Sequence, residues 1–178
     1  MKEEKFLSRK KILFLAQAAM IAAAYAVLTN LVPGINSGVV QFRFSEALCI
    51  LAVFTPAAVP GLTVGCVAAN LIAGNVIWDV IFGSLATLIG AIGVRMLRRI
   101  PWIAALPYAL SNIIIIPFVL KWAYGVPDSF GFLFMSLGIS EMIAAYGLGT
   151  LLWFLLRPVA GKVFRSVREE ANGEKTEE

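Results

Sequence analysis

The chain alternates long apolar runs with short polar or basic stretches, and the runs have the length of membrane crossings. Residues 12–31 are mostly apolar over about 20 positions, which suffices for one helical span. Turn formers follow, with Pro33, Gly34, Asn36, Ser37 and Gly38 marking 33–44 as a loop. Residues 45–55 predict a short apolar helix, and Pro56 and Pro60 bracket a break after it. Residues 61–73 predict a second short helix with a stripe of small side chains, Gly61, Gly65, Ala69 and Ala73. Further apolar runs cover 80–94, 102–124 and 132–156, with a turn at 126–130. Barrel strands would instead alternate over roughly 10 residues. The predicted class is therefore an all-α integral membrane protein, a bundle of transmembrane helices.

Flanking charge sets the number of crossings. Lys2, Lys5, Arg9, Lys10 and Lys11 precede the first run, Arg95, Arg98 and Arg99 follow the fourth, and Arg157, Lys162, Arg165 and Arg168 follow the last. Lys and Arg at span ends favour the cytoplasm. Six spans put all three basic groups on one side, with both termini inside, whereas five would separate the basic ends. The basic start also resembles a secretory signal, but the run is long for one and more spans follow. We expect one transmembrane domain over 1–168 and a disordered acidic tail over 169–178.

Composition agrees. The chain has 178 residues, of which 60% are hydrophobic and 15% charged, against about 25% charged in soluble domains. There is no histidine, and Cys49 and Cys66 sit inside apolar runs, where free cysteine behaves as a small hydrophobe. With no CxxC spacing, a zinc site is not expected, and no cofactor is. The net charge of +4 lies at span flanks, so it does not call for nucleic acid.

The few polar residues inside the apolar framework carry the candidate chemistry. In the six-span topology Arg43, Glu46, Asn70, Trp78 and Asp79 fall toward the outside. Glu141 enters the last span from the same side by about nine residues, roughly 13 Å at helical rise. Charged groups in a span cost roughly 2.5–3.5 kcal/mol each on insertion scales, so they are seldom idle. Bland readings exist for several. Arg43 and Glu46 are three apart and can form a structural ion pair, Asp79 can cap the helix that follows, and Asn70 can bond between helices. Glu141 has no cation in its own span and needs a partner, a proton or a ligand. Three carboxylates against one arginine suit a ligand that donates hydrogen bonds or carries positive charge. Trp78, Trp122, Tyr124 and Phe44 could stack on a flat ring or belong to the interfacial belt. In the first helix Ala18, Ala22 and Ala26 share a face, with Ala19 and Ala23 beside it. Small residues four apart let helices approach closely, either inside this bundle or against a partner subunit. No phosphate-binding GxxxxGK[ST] loop appears in the chain, so an energy source would lie elsewhere.

Several stretches resemble the queuosine-precursor transporter (QueT) family: VQFRFSEAL at 40–48, FTPAAVPGLTVGC at 54–66, ANL at 69–71 and DVIFGSLATL at 79–88, with Asn112 and GISE at 138–141. Ser140 stands where that pattern leads one to expect glycine. The resemblance implies a substrate-binding S component of an energy-coupling factor (ECF) transporter, in the cell membrane of a prokaryote. It implies capture from outside of a 7-deazaguanine, namely the nitrile precursor (preQ0), the aminomethyl precursor (preQ1) or queuine. It further implies partners, a transmembrane T subunit and two ATPase subunits, with the small residues of the first helix meeting the T subunit and the S component toppling to release substrate. On this reading Arg43, Glu46, Asn70, Trp78, Asp79, Asn112 and Glu141 bind substrate, while Ala18, Ala19, Ala22, Ala23 and Ala26 dock the partner. Alternatives are an S component for another vitamin-like ligand, a self-sufficient channel or secondary carrier, and, weakest, a membrane enzyme using the carboxylates.

Overall fold

The computed structural model describes residues 2–31 and 41–164, and among these every regular element is helical. The tail at 169–178, and Asn36 with most of the first loop, lie outside the described residues. The order is α1 (Lys2–Thr29), a 3₁₀ helix Phe44–Ile50 running into α2 (Leu51–Phe54), α3 (Ala58–Ile72), α4 (Ile77–Met96), α5 (Pro101–Ala104) and α6 (Leu106–Ala123). Then come α7 (Phe130–Glu141), a π-helical stretch Met142–Leu148, α8 (Gly149–Leu156) and the short α9 (Ala160–Val163).

Four helical stretches are long and apolar enough to cross a membrane: Lys11–Thr29, Ile77–Met96, Pro101–Ala123 and Phe130–Leu156. The two segments around the proline break are shorter apolar helices, Phe44–Phe54 and Ala58–Ile72. At about 1.5 Å per residue the longer of these reaches roughly 22 Å, less than a hydrocarbon core of about 30 Å. Large apolar side chains line the outside of the bundle, such as Met20 and Ile72, about 70% exposed. An apolar shell of that extent belongs in lipid.

Close approach of α1 and α3 starts from their small residues. A Cβ on Gly61 would lie 2.8 Å from Ala18 O, and one on Gly65 would lie 2.8 Å from Tyr25 Cβ and 2.9 Å from Ala22 O. The glycines are what let the two backbones touch, in the manner of small-residue motifs in membranes. Around this seam sits the main core, which includes Tyr25, Cys49, Ile50, Leu62, Cys66 and Tyr108. A second cluster, Ile116, Leu120, Leu133 and Leu137, joins α6 to α7.

Turns bring the polar residues to one end. Gly74 (φ 71°) breaks α3 from α4, and Asn75 Nδ2 donates to Asn70 Oδ1 at 2.9 Å across that turn. After α6, Gly125 (φ 63°) turns the chain. Lys121 Nζ then donates to the carbonyls of Val126 (3.1 Å) and Asp128 (2.9 Å), closing the turn before Ser129 caps α7. The last span is not uniform, because its helix widens to π geometry immediately after Glu141. Such widened turns recur at functional sites because they re-aim the side chains beside them.

Candidate functional site: a buried cluster of carboxylates, amides and an arginine

The site grows from a short extended segment feeding a tight helix. Gln41 and Arg43 lie two apart ahead of the 3₁₀ helix, and Arg43 has extended backbone (φ −120°, ψ 113°). Residues two apart on extended backbone share a side. Glu46 then lies three residues on, where 3₁₀ side chains eclipse, and its backbone N–H donates to Arg43 O at 3.2 Å. Gln41, Arg43 and Glu46 thus converge, all three buried.

Across from them stand α6, which supplies Asn112, and α7, which supplies Ser140 and Glu141. Together with Ile116, Leu137 and Ala144 these residues enclose a cavity of about 10 Å³, room for roughly one water. Glu46 Oε1 accepts from the fully buried Tyr25 hydroxyl at 3.1 Å. The other oxygen, Glu46 Oε2, has no hydrogen-bond partner among the described residues, and neither do Glu141 Oε2, Asn112 Nδ2 or Gln41 Nε2. The Asn112 amide lies close to the Glu141 carboxylate without closing a hydrogen bond between Nδ2 and Oε2. Buried polar atoms in native proteins are nearly always paired, and each unpaired one costs about 1–3 kcal/mol. A cavity lined by both unpaired acceptors and unpaired donors is what a polar ligand would complete.

Asp79 stands behind this cavity, against Arg43. Its Oδ2 lies 3.9 Å from Arg43 Nη2 and accepts the Tyr124 hydroxyl at 3.1 Å. Tyr124 sits just past the span that ends at Ala123. Partial burial, and then the Asp79 carboxylate, push its phenol up to about 12, so it remains a donor at neutral pH. Asn70 lies on the same side of α4, since a Cβ on Gly83 would meet Asn70 Nδ2 at 3.3 Å and Asp79 Oδ1 at 3.5 Å. Asn70 donates toward Cys66 Sγ at 3.5 Å and accepts from Asn75, so it braces the α3–α4 turn.

The structure therefore brings Arg43, Glu46, Asn112 and Glu141 to one cavity, sets Asp79 and Asn70 beside it, and leaves Trp78 apart. The Trp78 ring is half-exposed, stacks on Phe82 at 6.1 Å, and lines an outer apolar groove with Phe118 and Trp122. Phe44 lies edge-on to Phe42 rather than on the cavity lining. Gln41, Ser140 and Tyr25 were missed from sequence. Only the two-residue spacing to Arg43 hinted at Gln41, and only once extended backbone is known.

The alanines of α1 divide. Ala18 and Ala22 pack on Gly61 and Gly65, and Ala26 is buried, whereas Ala19 and Ala23 are exposed beside Met20 and Val27. Of the five alanines expected to dock a partner, Ala18, Ala22 and Ala26 are taken up by internal packing, while Ala19 and Ala23 stay open. The physical reason is that residues four apart fall on one face, and α3 already covers it.

Comparison with known proteins gives a family. The family described as QueT transporter matches residues 15–158. A stretch of 97 residues is 33% identical to a protein of Lactococcus lactis subsp. cremoris (strain MG1363) named Queuosine precursor transporter QueT. That stretch covers 52% of this chain and 56% of the relative, so the chain matches little more than half the length of that protein. No solved structure matches the chain.

Proposed function

The chain belongs to the QueT transporter family and is a multi-pass protein of the cell membrane; from that premise we propose that it captures a queuosine precursor, a 7-deazaguanine, from outside the cell. It does so as the substrate-binding subunit of an ECF-type importer, with a transmembrane T subunit and two ATPase subunits supplying the energy. The observation that carries this reading is the small cavity in which Gln41 Nε2, Asn112 Nδ2, Glu46 Oε2 and Glu141 Oε2 have no hydrogen-bond partner among the described residues.

The chemistry fits a flat heterocycle. A guanine-like edge offers a ring N–H and an exocyclic amine side by side, and a carboxylate accepts both in a bidentate pair. Glu46 Oε2 and Glu141 Oε2 are the available acceptors, and Asn112 Nδ2 and Gln41 Nε2 can donate to ring oxygen or nitrogen. The apolar wall of Ile116, Leu137 and Ala144 covers the ring faces. A bicycle needs far more than the present roughly 10 Å³, so its entry parts the 3₁₀ segment from the last span.

We assign six crossings with both termini inside. The two short helices then cross as a pair tilted or sunk among the longer ones, which places the cavity toward the outer face and Arg95, Arg98 and Arg99 toward the cytoplasm. Ala19 and Ala23, with Met20 and Val27, form the face of α1 open to the T subunit. The test is equilibrium binding to detergent-purified protein, followed by uptake in liposomes. Tight binding of a 7-deazaguanine without ATP, with uptake only when the partner subunits are present, is the expected result. Gradient-driven uptake by this chain alone would overturn it in favour of a secondary carrier.

A further inference from the structure

Charge balance in and around the cavity favours one kind of ligand over its near relatives. Arg43, Glu46, Asp79 and Glu141 are all more than nine-tenths buried. Among the described residues, the lining of the cavity contains one cation, Arg43, and two carboxylates, Glu46 and Glu141. Arg43 is also within 3.9 Å of Asp79, so its charge is shared with a third carboxylate behind the cavity. The three carboxylates are not equally provided for. Asp79 has Arg43 and Tyr124, and Glu46 has Tyr25 on one oxygen. Glu141 is the carboxylate with the least: among the described residues its Oε2 has no hydrogen-bond partner, the Asn112 amide lies nearby, and it shares the charge of Arg43 with the other two carboxylates.

A neutral ring edge can satisfy lone pairs but cannot offset a buried charge. Uncompensated buried carboxylates are costly, and a bound cation relieves that cost. We propose that the cavity selects a ligand carrying a primary ammonium group beside its flat hydrogen-bonding edge, and that Glu141 is the residue that sets this preference. Glu46 then takes the ring edge, on its unpartnered Oε2. Asn112, beside Glu141 on the cavity, donates to the ligand from its Nδ2. This inference rests on reading the site as that of a 7-deazaguanine, and it adds which substituent the site prefers.

The experiment compares two ligands that differ only at the ring substituent, aminomethyl (cationic) and nitrile (neutral), with guanine as a third. Each is titrated by calorimetry into the full-length protein in detergent at neutral pH. The amine is expected to bind at least about 10-fold more tightly than the nitrile, a difference of roughly 1.4 kcal/mol. Glu141→Gln is expected to erase that preference, weakening the amine at least about 10-fold while moving the nitrile less than about 3-fold. Glu141→Asp keeps the charge and retains the preference at reduced affinity. Glu46→Gln weakens both ligands together. Equal affinity of the wild-type protein for amine and nitrile, or a preference that survives Glu141→Gln, overturns the inference and leaves the 7-deazaguanine site standing. Failure of every ligand to bind protein that still unfolds cooperatively overturns the underlying reading instead. The wild-type ratio needs no variant, so a misfolded Glu141→Gln protein does not shelter the proposal.

Discussion

The seam between α1 and α3 and the cavity between the 3₁₀ helix, α6 and α7 are built on opposite principles. The seam is apolar and tightly packed. Gly61 and Gly65 admit Ala18, Ala22 and Tyr25 at distances that leave no room for another atom. The cavity is polar and incomplete, with carboxylate and amide atoms facing one another across space for about one water. In lipid there is no hydrophobic drive between helices, so association rests on close packing. Tyr25 connects seam and cavity, with its Cβ against Gly65 and its hydroxyl on Glu46.

Breaking the ion pair at the back of the cavity should have the largest effect. Arg43→Met leaves Asp79 and Glu46 buried without their cation, and loss of one partner of a buried pair costs about 3–5 kcal/mol. Denaturant unfolding in detergent should show that loss, and ligand binding should vanish. A variant as stable as wild type would mean that the carboxylates are compensated elsewhere. Breaking the seam should come next. Gly65→Leu forces a side chain onto Ala22 and Tyr25, and overpacking of this kind costs about 1–3 kcal/mol. A drop in thermal midpoint is the expected reading, with ligand affinity weakened through Tyr25 only as far as the helices shift.

The link between the regions can be cut more finely. Tyr25→Phe keeps the packing at Gly65 but removes the donor to Glu46, leaving a buried oxygen unsatisfied at a cost of about 1–3 kcal/mol. Ligand affinity should fall clearly more than it does for Tyr124→Phe, whose hydroxyl sits one step behind the cavity on Asp79. The reverse order would move the centre of the site toward Asp79. The smallest effect on folding is expected on the open face of α1. Ala19→Leu combined with Ala23→Leu should change stability by no more than about 0.5 kcal/mol, as exposed substitutions do. Co-purification with the T subunit should nevertheless be lost. Unimpaired assembly would show that this face meets lipid alone.

Much of the framework was readable from periodicity and punctuation. The runs at 80–94, 102–124 and 132–156 correspond to Ile77–Met96, Pro101–Ala123 and Phe130–Leu156. The proline break at Pro56 separates Phe44–Phe54 from Ala58–Ile72 as expected. Glu141 was flagged because no cation stands in its own span, and the structure places it on the cavity with Glu46. Trp78, expected to stack on a flat ring, adjoins Asp79 in sequence but stands apart from the cavity. Consecutive helical residues point about 100° apart, so Asp79 faces inward and Trp78 faces the outer groove.

By itself, the sequence determined what is local or statistical. Apolar runs of spanning length require helices in lipid, because backbone groups there have no other partners. Buried-type charges in such runs mark the residues with a functional cost. Tertiary structure alone decided which of those residues meet. Gln41 and Ser140 join the cavity, and Asn70 stands outside it. The π-helical stretch opens right after Glu141, and three of the five alanines turn inward. These outcomes depend on the rotation of one helix against another and on which face its neighbour already covers. Composition and spacing along a single chain carry no record of either.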